Sequence, residues 1–459
     1  MKKILVSLIG CFVAICAHAA QIVNVDYVHK LIAQKWDISV PIKADNPMQV
    51  ANMKYLLTAV DVANEIFNGE KTTDYGNGEF ATLQVADTTA TNTAVETLVR
   101  KIDKGPEFTL TTTPDTSGFE FSISAAGEFV VDWGDGTVET ITKPDTTDTK
   151  YSHGYDTAGA YTIGLSGQAT AYNTNTSTAA ISFYYDGDTQ SKKIASIDGS
   201  LGAIFGTLPD ATEKQPRFYW TFYGASNMTG SIPSDLFAGI SGAPASNMFY
   251  RTFYNCSGLT SIPDGLFAGI SGAPASYMFA YTFEGCSGLT SIPAGLFAGI
   301  SGAPAESMFA YTFYNCSGLT SIPAGLFAGI SGAPAEGMFS GTFSGCNGLT
   351  GAIPDGLFAG ISGASASFMF AGTFEGCRGL TSIPENLFGN ISGPTQGNMF
   401  SSMFDSCTSL TGPSARINGK YLYEIWPELS FNYVKGPYYG CTGLSDYSTM
   451  PAVWRSYND

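Results

Sequence analysis

The chain has 459 residues, a formal net charge of −17 and nine cysteines. This length is too great for a single compact core, so about two or three domains are expected. A protein this acidic is repelled by phosphate backbones and anionic lipid head groups, which argues against nucleic acid as a partner. Cationic patches on other proteins, Ca²⁺ and neutral glycans remain compatible with the charge.

The N-terminus has the features of a secretory signal peptide. Two lysines and the apolar run Ile4 to Cys16 precede the small-x-small site at residues 17–19. Residues 1–19 are therefore predicted to be a signal peptide, and the mature protein is expected to be exported, at the cell surface or secreted.

Lipidation is an alternative reading of the same segment. Residues 8–11 resemble a lipobox, which would place a lipid on Cys11. The apolar run before Cys11 is short and the chain stays apolar after it, which favours simple cleavage. No later stretch approaches ~18 uninterrupted apolar residues, so no transmembrane segment is expected.

Residues 20–105 form a first segment. Apolar residues at three- and four-residue spacing, such as Met53, Leu56, Leu57 and Val60, predict helices. The Thr-, Asp-, Asn- and Gly-rich stretch 71–93 is typical of an irregular linker. We interpret the segment as a small helical region without recognisable chemistry.

Residues 106–192 alternate between apolar and polar residues, for example in 108–111 and 119–123, which predicts antiparallel strands. The run Trp133-Gly134-Asp135-Gly136-Thr137 follows such a strand, and His153-Gly154-Tyr155 lies downstream. Together they resemble the polycystic-kidney-disease (PKD) domain. The resemblance implies an immunoglobulin-like β-sandwich for residues 106–192.

Two carboxylates in this motif, Asp132 and Asp135, are candidate ligands for Ca²⁺, a cation that prefers hard oxygen donors. Two carboxylates are too few for a dedicated calcium site, so we favour a role in capping the turn. No other cofactor or metal is expected.

Seven cysteines follow the predicted signal peptide, at regular spacings of 30, 30, 30, 31, 30 and 34 residues: Cys256, Cys286, Cys316, Cys346, Cys377, Cys407 and Cys441. An odd number at a regular repeat does not fit a disulfide framework. The spacing instead indicates one buried core position per repeat unit, because cysteine behaves as a small hydrophobe. A zinc site is not expected, since the chain lacks a Cys-x-x-Cys pair.

Residues 193–411 consist of repeats of about 30 residues. Within one unit, Met248, Phe253 and Cys256 have the spacing of one face of two helical turns, and Leu259 and Ile262 suit a short strand. Units this small are expected to bury their apolar side chains only against neighbouring copies. The predicted core includes the repeat cysteines and one phenylalanine per unit: Phe253, Phe283, Phe313 and Phe343.

The block Phe-x-x-Cys-x-x-Leu-x-x-Ile-Pro resembles BspA-like leucine-rich repeats of bacterial surface proteins. The resemblance implies a leucine-rich-repeat-like solenoid, surface display and adhesion. We therefore predict an α+β multi-domain protein in which residues 412–459, rich in tyrosine and tryptophan, form a C-terminal cap.

Some positions vary between otherwise similar units and are expected to be exposed. Exposed tyrosines make good contact residues because they supply area and a polar tip. The candidate ligand-binding residues are Tyr250, Arg251, Tyr254, Tyr281, Tyr311 and Tyr314. An alternative is that these tyrosines only shield the core.

No catalytic constellation is evident in the sequence. Only His29 and His153 follow the predicted signal peptide, and the acidic residues of the repeats are thinly spread. The sequence therefore predicts a non-enzymatic binding protein that recognises an extracellular protein or glycan. The alternative is a structural cell-envelope or matrix protein that associates with itself.

Overall fold

The computed structural model describes residues 106–184, 190–211, 213–429 and 435–457. The predicted signal peptide, the lipidation alternative at Cys11 and the helices expected within residues 20–105 lie outside the described residues. The chain divides into two compact units, residues 1–106 with 134–138, and residues 107–133 with 139–459. The second unit contains the repeats and most of the strands.

The predicted fold class, an α+β protein whose repeats form a leucine-rich-repeat-like solenoid, is wrong for the described residues. Strand accounts for 26% and helix for 5% of the part of the chain that the structure describes. The sheets are small, and the helices of the described residues have four residues each: α1 Leu201–Ile204, α2 Leu422–Ile425 and α3 Ala452–Arg455. Two short 3-10 turns span Ser191–Lys193 and Tyr447–Thr449.

The first part of the described chain contains the antiparallel strands expected from its alternating residues. They are β1 Phe108–Thr112, β2 Thr116–Ile123, β3 Ala126–Asp132, β4 Val138–Lys143, β5 Thr149–Gly159, β6 Thr162–Ala171, β7 Ile181–Ser182 and β8 Ile194–Gly199. A five-stranded sheet has the order β4-β3-β6-β1-β8, and a three-stranded sheet has the order β5-β2-β7. Both sheets contribute side chains to one hydrophobic core, an arrangement compatible with a β-sandwich.

Trp133 lies in this core and is 1% exposed. Its ring centroid is 5.6 Å from that of Phe121, and its carbonyl oxygen accepts a hydrogen bond of 2.9 Å from the Tyr155 hydroxyl. The first residue of the Trp-Gly-Asp-Gly motif is therefore a core residue, and the residues after it form a turn.

The repeat units are built from tight turns rather than helices. Every fourth residue is in the left-handed region, as shown by Asn247, Arg251 and Asn255 with φ values of 58°, 54° and 55°. A right-handed helix cannot continue through such residues. The helical face inferred from Met248, Phe253 and Cys256 was therefore wrong: the side chains share one face because the turn repeats every four residues.

Alternate backbone N–H groups bond within a unit and to the next unit. The N–H of Tyr250 donates to the carbonyl of Asn247, three residues earlier, at 3.2 Å. The N–H of Arg251 instead donates to the carbonyl of Ala280 in the following unit, at 3.1 Å. This alternation satisfies the backbone of the turns and joins successive units without a long strand.

Strand is limited to short pieces in the repeats and C-terminal segment. These are β9 Gly230–Ser231, β10 Leu259–Ser261, β11 Thr350–Ala352, β12 Gly363–Ala364, β13 Gly379–Ser382, β14 Ile391–Ser392, β15 Arg416–Ile417 and β16 Lys420–Tyr421. The pairs β9–β10, β11–β13 and β12–β14 are parallel, and β15–β16 is antiparallel.

Phenylalanine rings pack face to face between successive units. The centroids of Phe253 and Phe283 are 5.6 Å apart, as are those of Phe283 and Phe313, and Phe313 and Phe343 are 5.7 Å apart. All four rings are fully buried. Burial of such rings is the largest apolar contribution that each unit makes to folding.

The two ends of this phenylalanine row are covered by other parts of the same compact unit. Phe183, next to strand β7, packs on Phe222 with ring centroids 5.3 Å apart, and its N–H donates to the carbonyl of Thr221. At the other end, Tyr438 stacks on Phe404 at 5.3 Å and contacts the buried Trp454. The strand sheets and the repeats therefore share one continuous core.

Candidate functional site

The four-residue turn places two side chains inward and the next two outward. Met248 and Phe249 are buried, Tyr250 and Arg251 are only partly buried, and Thr252 and Phe253 are again buried. Because successive units lie side by side, the outward residues line up across units. We call the resulting surface the aromatic face and define it as Tyr219, Trp220, Tyr223, Tyr250, Arg251, Tyr254, Tyr281, Glu284, Tyr311 and Tyr314.

Tyrosine rings of the aromatic face stack across unit boundaries. Tyr223 and Tyr254 have ring centroids 4.4 Å apart and planes inclined by 3°. Tyr219 lies 5.1 Å from Tyr250 with planes inclined by 8°. This packing covers one face of each ring with the next ring, while the four tyrosines remain partly exposed.

Arg251 lies at the centre of the aromatic face. Its guanidinium carbon is 4.7 Å from the ring centroid of Tyr281, 5.2 Å from that of Tyr254 and 5.5 Å from that of Trp220. Cation–π attraction at these distances holds the side chain in place. No described carboxylate lies within salt-bridge distance of the Arg251 guanidinium.

Three polar atoms of the aromatic face are buried without a hydrogen-bond partner among the described residues. They are Nε1 of Trp220, Nε of Arg251 and Oε2 of Glu284. A buried polar group without a partner costs about 1–3 kcal/mol. These three atoms lie on one surface, and a buried polar atom without a partner calls for an explanation.

Glu284 occupies the repeat position that Tyr254 and Tyr314 hold in the adjacent units. Burial raises the pKa of its carboxyl to about 7, although the nearby charge of Arg251 lowers the pKa in part. The carboxyl therefore changes its charge near neutral pH, beside an arginine and several aromatic rings.

Burial also raises the pKa values of Tyr223 and Tyr281 to about 12. These hydroxyls are consequently protonated at neutral pH and can donate hydrogen bonds to a partner.

The backbone at one repeat position is strained by the side chains that it carries. Trp220, Arg251, Tyr281 and Tyr311 have φ values of 59°, 54°, 59° and 55°, whereas the same position in the next two units holds Gly341 and Gly372, at φ 60° and 62°. Only glycine adopts this conformation without a cost of about 1–2 kcal/mol. Four units therefore carry a large side chain at a position where two other units have glycine, the residue that the backbone conformation favours.

The structure brings all six predicted ligand-binding residues onto the aromatic face. Sequence reasoning missed four of its members, which are Tyr219, Trp220, Tyr223 and Glu284. The signal was available for the first three, since they precede Tyr250, Arg251 and Tyr254 by 31 residues each and flank the same Thr-Phe pair. Glu284 is one of the thinly spread acidic residues of the repeats, and its burial has no signature in the sequence.

Of the candidate calcium ligands, Asp132 ends strand β3 and Asp135 lies in the turn after it. Oδ1 of Asp135 accepts a hydrogen bond of 2.9 Å from the N–H of Thr137, which is a turn-capping contact. Within the described residues, no group of three or more His, Cys, Asp or Glu side chains could hold a metal ion.

The seven cysteines of the repeats and C-terminal segment are buried and free of disulfides. Each thiol donates to a phenylalanine carbonyl of an earlier unit, as Cys286 does to Phe253 at 3.0 Å. Burial raises the pKa of these thiols, to about 12 in Cys441. They are therefore core groups rather than activated nucleophiles.

Comparisons with protein families, curated proteins and solved structures found no match for this chain. Among the described residues, no helix has the length and apolar character needed to cross a membrane.

Proposed function

We propose that this protein is an exported cell-surface or secreted binding protein that contacts an extracellular partner through the aromatic face. The observation that carries the proposal is the retention of Trp220, Arg251, Tyr281 and Tyr311 at backbone positions that favour glycine. Strained residues that persist in a fold commonly mark a functional surface. Binding without chemical conversion is expected.

A protein partner fits the geometry of the face better than a glycan. A sugar ring stacks on an open aromatic face, but the faces of Tyr223 and Tyr254 cover each other at 4.4 Å. Partly exposed tyrosines suit hydrogen bonds and edge contacts with a polypeptide. Tyrosine and arginine are also the residue types that dominate protein interfaces.

An acidic group of the partner is the expected contact of Arg251. No described carboxylate lies within salt-bridge distance of its guanidinium, although the charges of Arg251 and Glu284 interact, and its aromatic neighbours restrict its motion. A guanidinium held in this way loses little conformational freedom when it binds a carboxylate.

Adhesion at the cell surface is the biological setting that we propose. Self-association remains the alternative function. End-to-end growth through the phenylalanine row is disfavoured, because Phe183 covers one end and Tyr438 the other.

The proposal is tested by titrating the whole purified protein onto immobilised extracellular-matrix proteins and neutral glycans, with sedimentation measured in parallel. Saturable binding to a matrix protein by a monomeric chain supports the proposed function. Concentration-dependent assembly, with no binding to either ligand class, would contradict it and favour the self-associating alternative.

A further inference from the structure

A lysine, a buried aspartate and a glutamate meet where the C-terminal segment packs on the repeats. Nζ of Lys435 is 2.7 Å from Oδ2 of Asp405. The Asp405 side chain is 1% exposed, whereas that of Lys435 is 37% exposed. The lysine amine therefore lies within hydrogen-bond distance of a buried carboxyl.

Glu375 occupies the same repeat position as Asp405, one unit earlier along the chain. The two units are joined at this point by a hydrogen bond of 2.7 Å from the N–H of Gly376 to the carbonyl of Asp405. Burial raises the pKa of the Glu375 carboxyl and the neighbouring charge of Asp405 raises it further, while the charge of Lys435 lowers it in part. Glu375 is therefore suited to hold a proton beside the Lys435–Asp405 pair.

The other oxygen of Asp405 is also engaged. Its Oδ1 accepts a hydrogen bond of 2.8 Å from the Ser406 hydroxyl. The Tyr439 ring lies 5.1 Å from Nζ of Lys435, and the fully buried Phe404 precedes the aspartate in the chain. Hydrogen bonds thus fix the orientation of the Asp405 carboxyl, which is almost inaccessible to solvent.

We propose that Lys435 and Asp405 join in an intramolecular isopeptide bond. One Nζ proton passes to Oδ2 of Asp405 across the 2.7 Å hydrogen bond, which leaves a neutral amine beside a neutral carboxyl. The amine attacks Cγ of Asp405 and a C–N bond forms. A second Nζ proton passes, by way of the Glu375 carboxyl, to the departing hydroxyl, the C–O bond breaks, and one water molecule leaves, so that the reaction needs no oxidant, reductant or other reactant.

Two physical effects favour this condensation. The fold holds nucleophile and carboxyl at 2.7 Å, which replaces an encounter between free groups by a reaction within one molecule. The Asp405 carboxyl is also almost fully buried, and a buried carboxyl is less costly neutral than charged. The hydrogen bond from Lys435 to Asp405 raises the pKa of the amine, so transfer of its proton to Asp405 must precede attack.

The bond would attach the C-terminal segment covalently to the repeats. Tyr438 and Trp454 of that segment cover the end of the phenylalanine row. Because all seven cysteines of the described residues are free, an isopeptide bond would supply a covalent staple that disulfides do not provide there.

Mass spectrometry of the full-length protein and of its tryptic peptides tests the proposal. The intact mass is expected to be lower than the sequence mass, corrected for N-terminal processing, by the mass of one water molecule. Digestion should yield a branched peptide in which residues 379–416 are linked to residues 421–455, with no cleavage after Lys435. Separate peptides covering these residues, with cleavage after Lys435, would overturn the proposal.

Two variants separate the bond from the ion pair. Lys435→Arg keeps a positive charge beside Asp405 but removes the amine, so the mass deficit and the branched peptide should both disappear while the chain still folds. Glu375→Gln should likewise leave the peptides unlinked. Persistence of the link in Glu375→Gln would overturn the proton-transfer role of Glu375, and persistence of the deficit in Lys435→Arg would overturn the assigned bond.

Discussion

The ring of Tyr311 lies over the α-carbon of Gly341 in the next unit, where an added β-carbon would stand 2.4 Å from the ring. Gly341 also has a φ of 60°, which strains any other residue. The aromatic face therefore ends at a glycine that leaves room for its last stacked ring.

Gly341→Ala should destabilise the protein and displace Tyr311. The left-handed backbone alone costs about 1–2 kcal/mol, and the contact with the ring adds to it. Urea unfolding monitored by circular dichroism measures the change in the free energy of unfolding. Gly295→Ala is the matched control, because a β-carbon there meets no atom within 4 Å. Equal effects of the two substitutions would contradict the strain that we assign to Gly341.

The thiols of the repeats should resist alkylation in the native protein. They are fully buried, and burial raises their pKa values, so little reactive thiolate forms at pH 8. Iodoacetamide followed by mass spectrometry should label few of the seven cysteines natively and all seven after denaturation. A native mass that indicates three disulfides would contradict the prediction that these cysteines are buried and reduced.

Glu284 should make the stability depend on pH near neutrality. Its ordinary pKa is 4.5 and its value in the folded state is about 7, so the native state binds more protons than the unfolded state between these values. The free energy of unfolding therefore falls as the pH rises from about 4.5 through 7.

Glu284→Gln should flatten this dependence and raise the melting temperature at pH 8 relative to the unmodified protein. Glu336→Gln, at an exposed glutamate, should leave the dependence unchanged. Differential scanning calorimetry between pH 4 and 8 compares the three proteins. If the melting temperature of Glu284→Gln depends on pH as steeply as that of the unmodified protein, a group other than Glu284 is responsible.

Much of the repeat region could be predicted from the sequence, because identical residues return at a fixed spacing. Cys256 and Phe253 occupy the invariant, apolar positions and are fully buried, and the variable positions of Tyr250 and Arg251 are partly exposed. The periodicity could not reveal the local conformation. A four-residue turn and a helix both bring Met248 near Phe253, and only the left-handed φ of Arg251 distinguishes the turn.

The sequence also did not reveal how the strand sheets join the repeats. Ile194 and Ile197 fall within the predicted repeat region 193–411, yet both lie in strand β8, which pairs with β1. The N–H of Thr229 donates to the carbonyl of Ala195 in the same strand. Separate fragments divided at residue 192 would therefore break a sheet, and binding must be measured on the whole chain.

The most direct test of the account compares Arg251→Gly with the unmodified protein in binding to an immobilised extracellular-matrix protein. Glycine adopts the left-handed backbone of this position without strain, as Gly341 and Gly372 do in other units. The variant should therefore be at least as stable as the unmodified protein. Its affinity should nevertheless fall about 10-fold or more, the loss expected for a central arginine anchor. The exposed Arg378→Ala serves as the control for loss of one positive charge and should bind normally. Unchanged affinity in the folded Arg251→Gly protein would contradict the aromatic face as the binding surface.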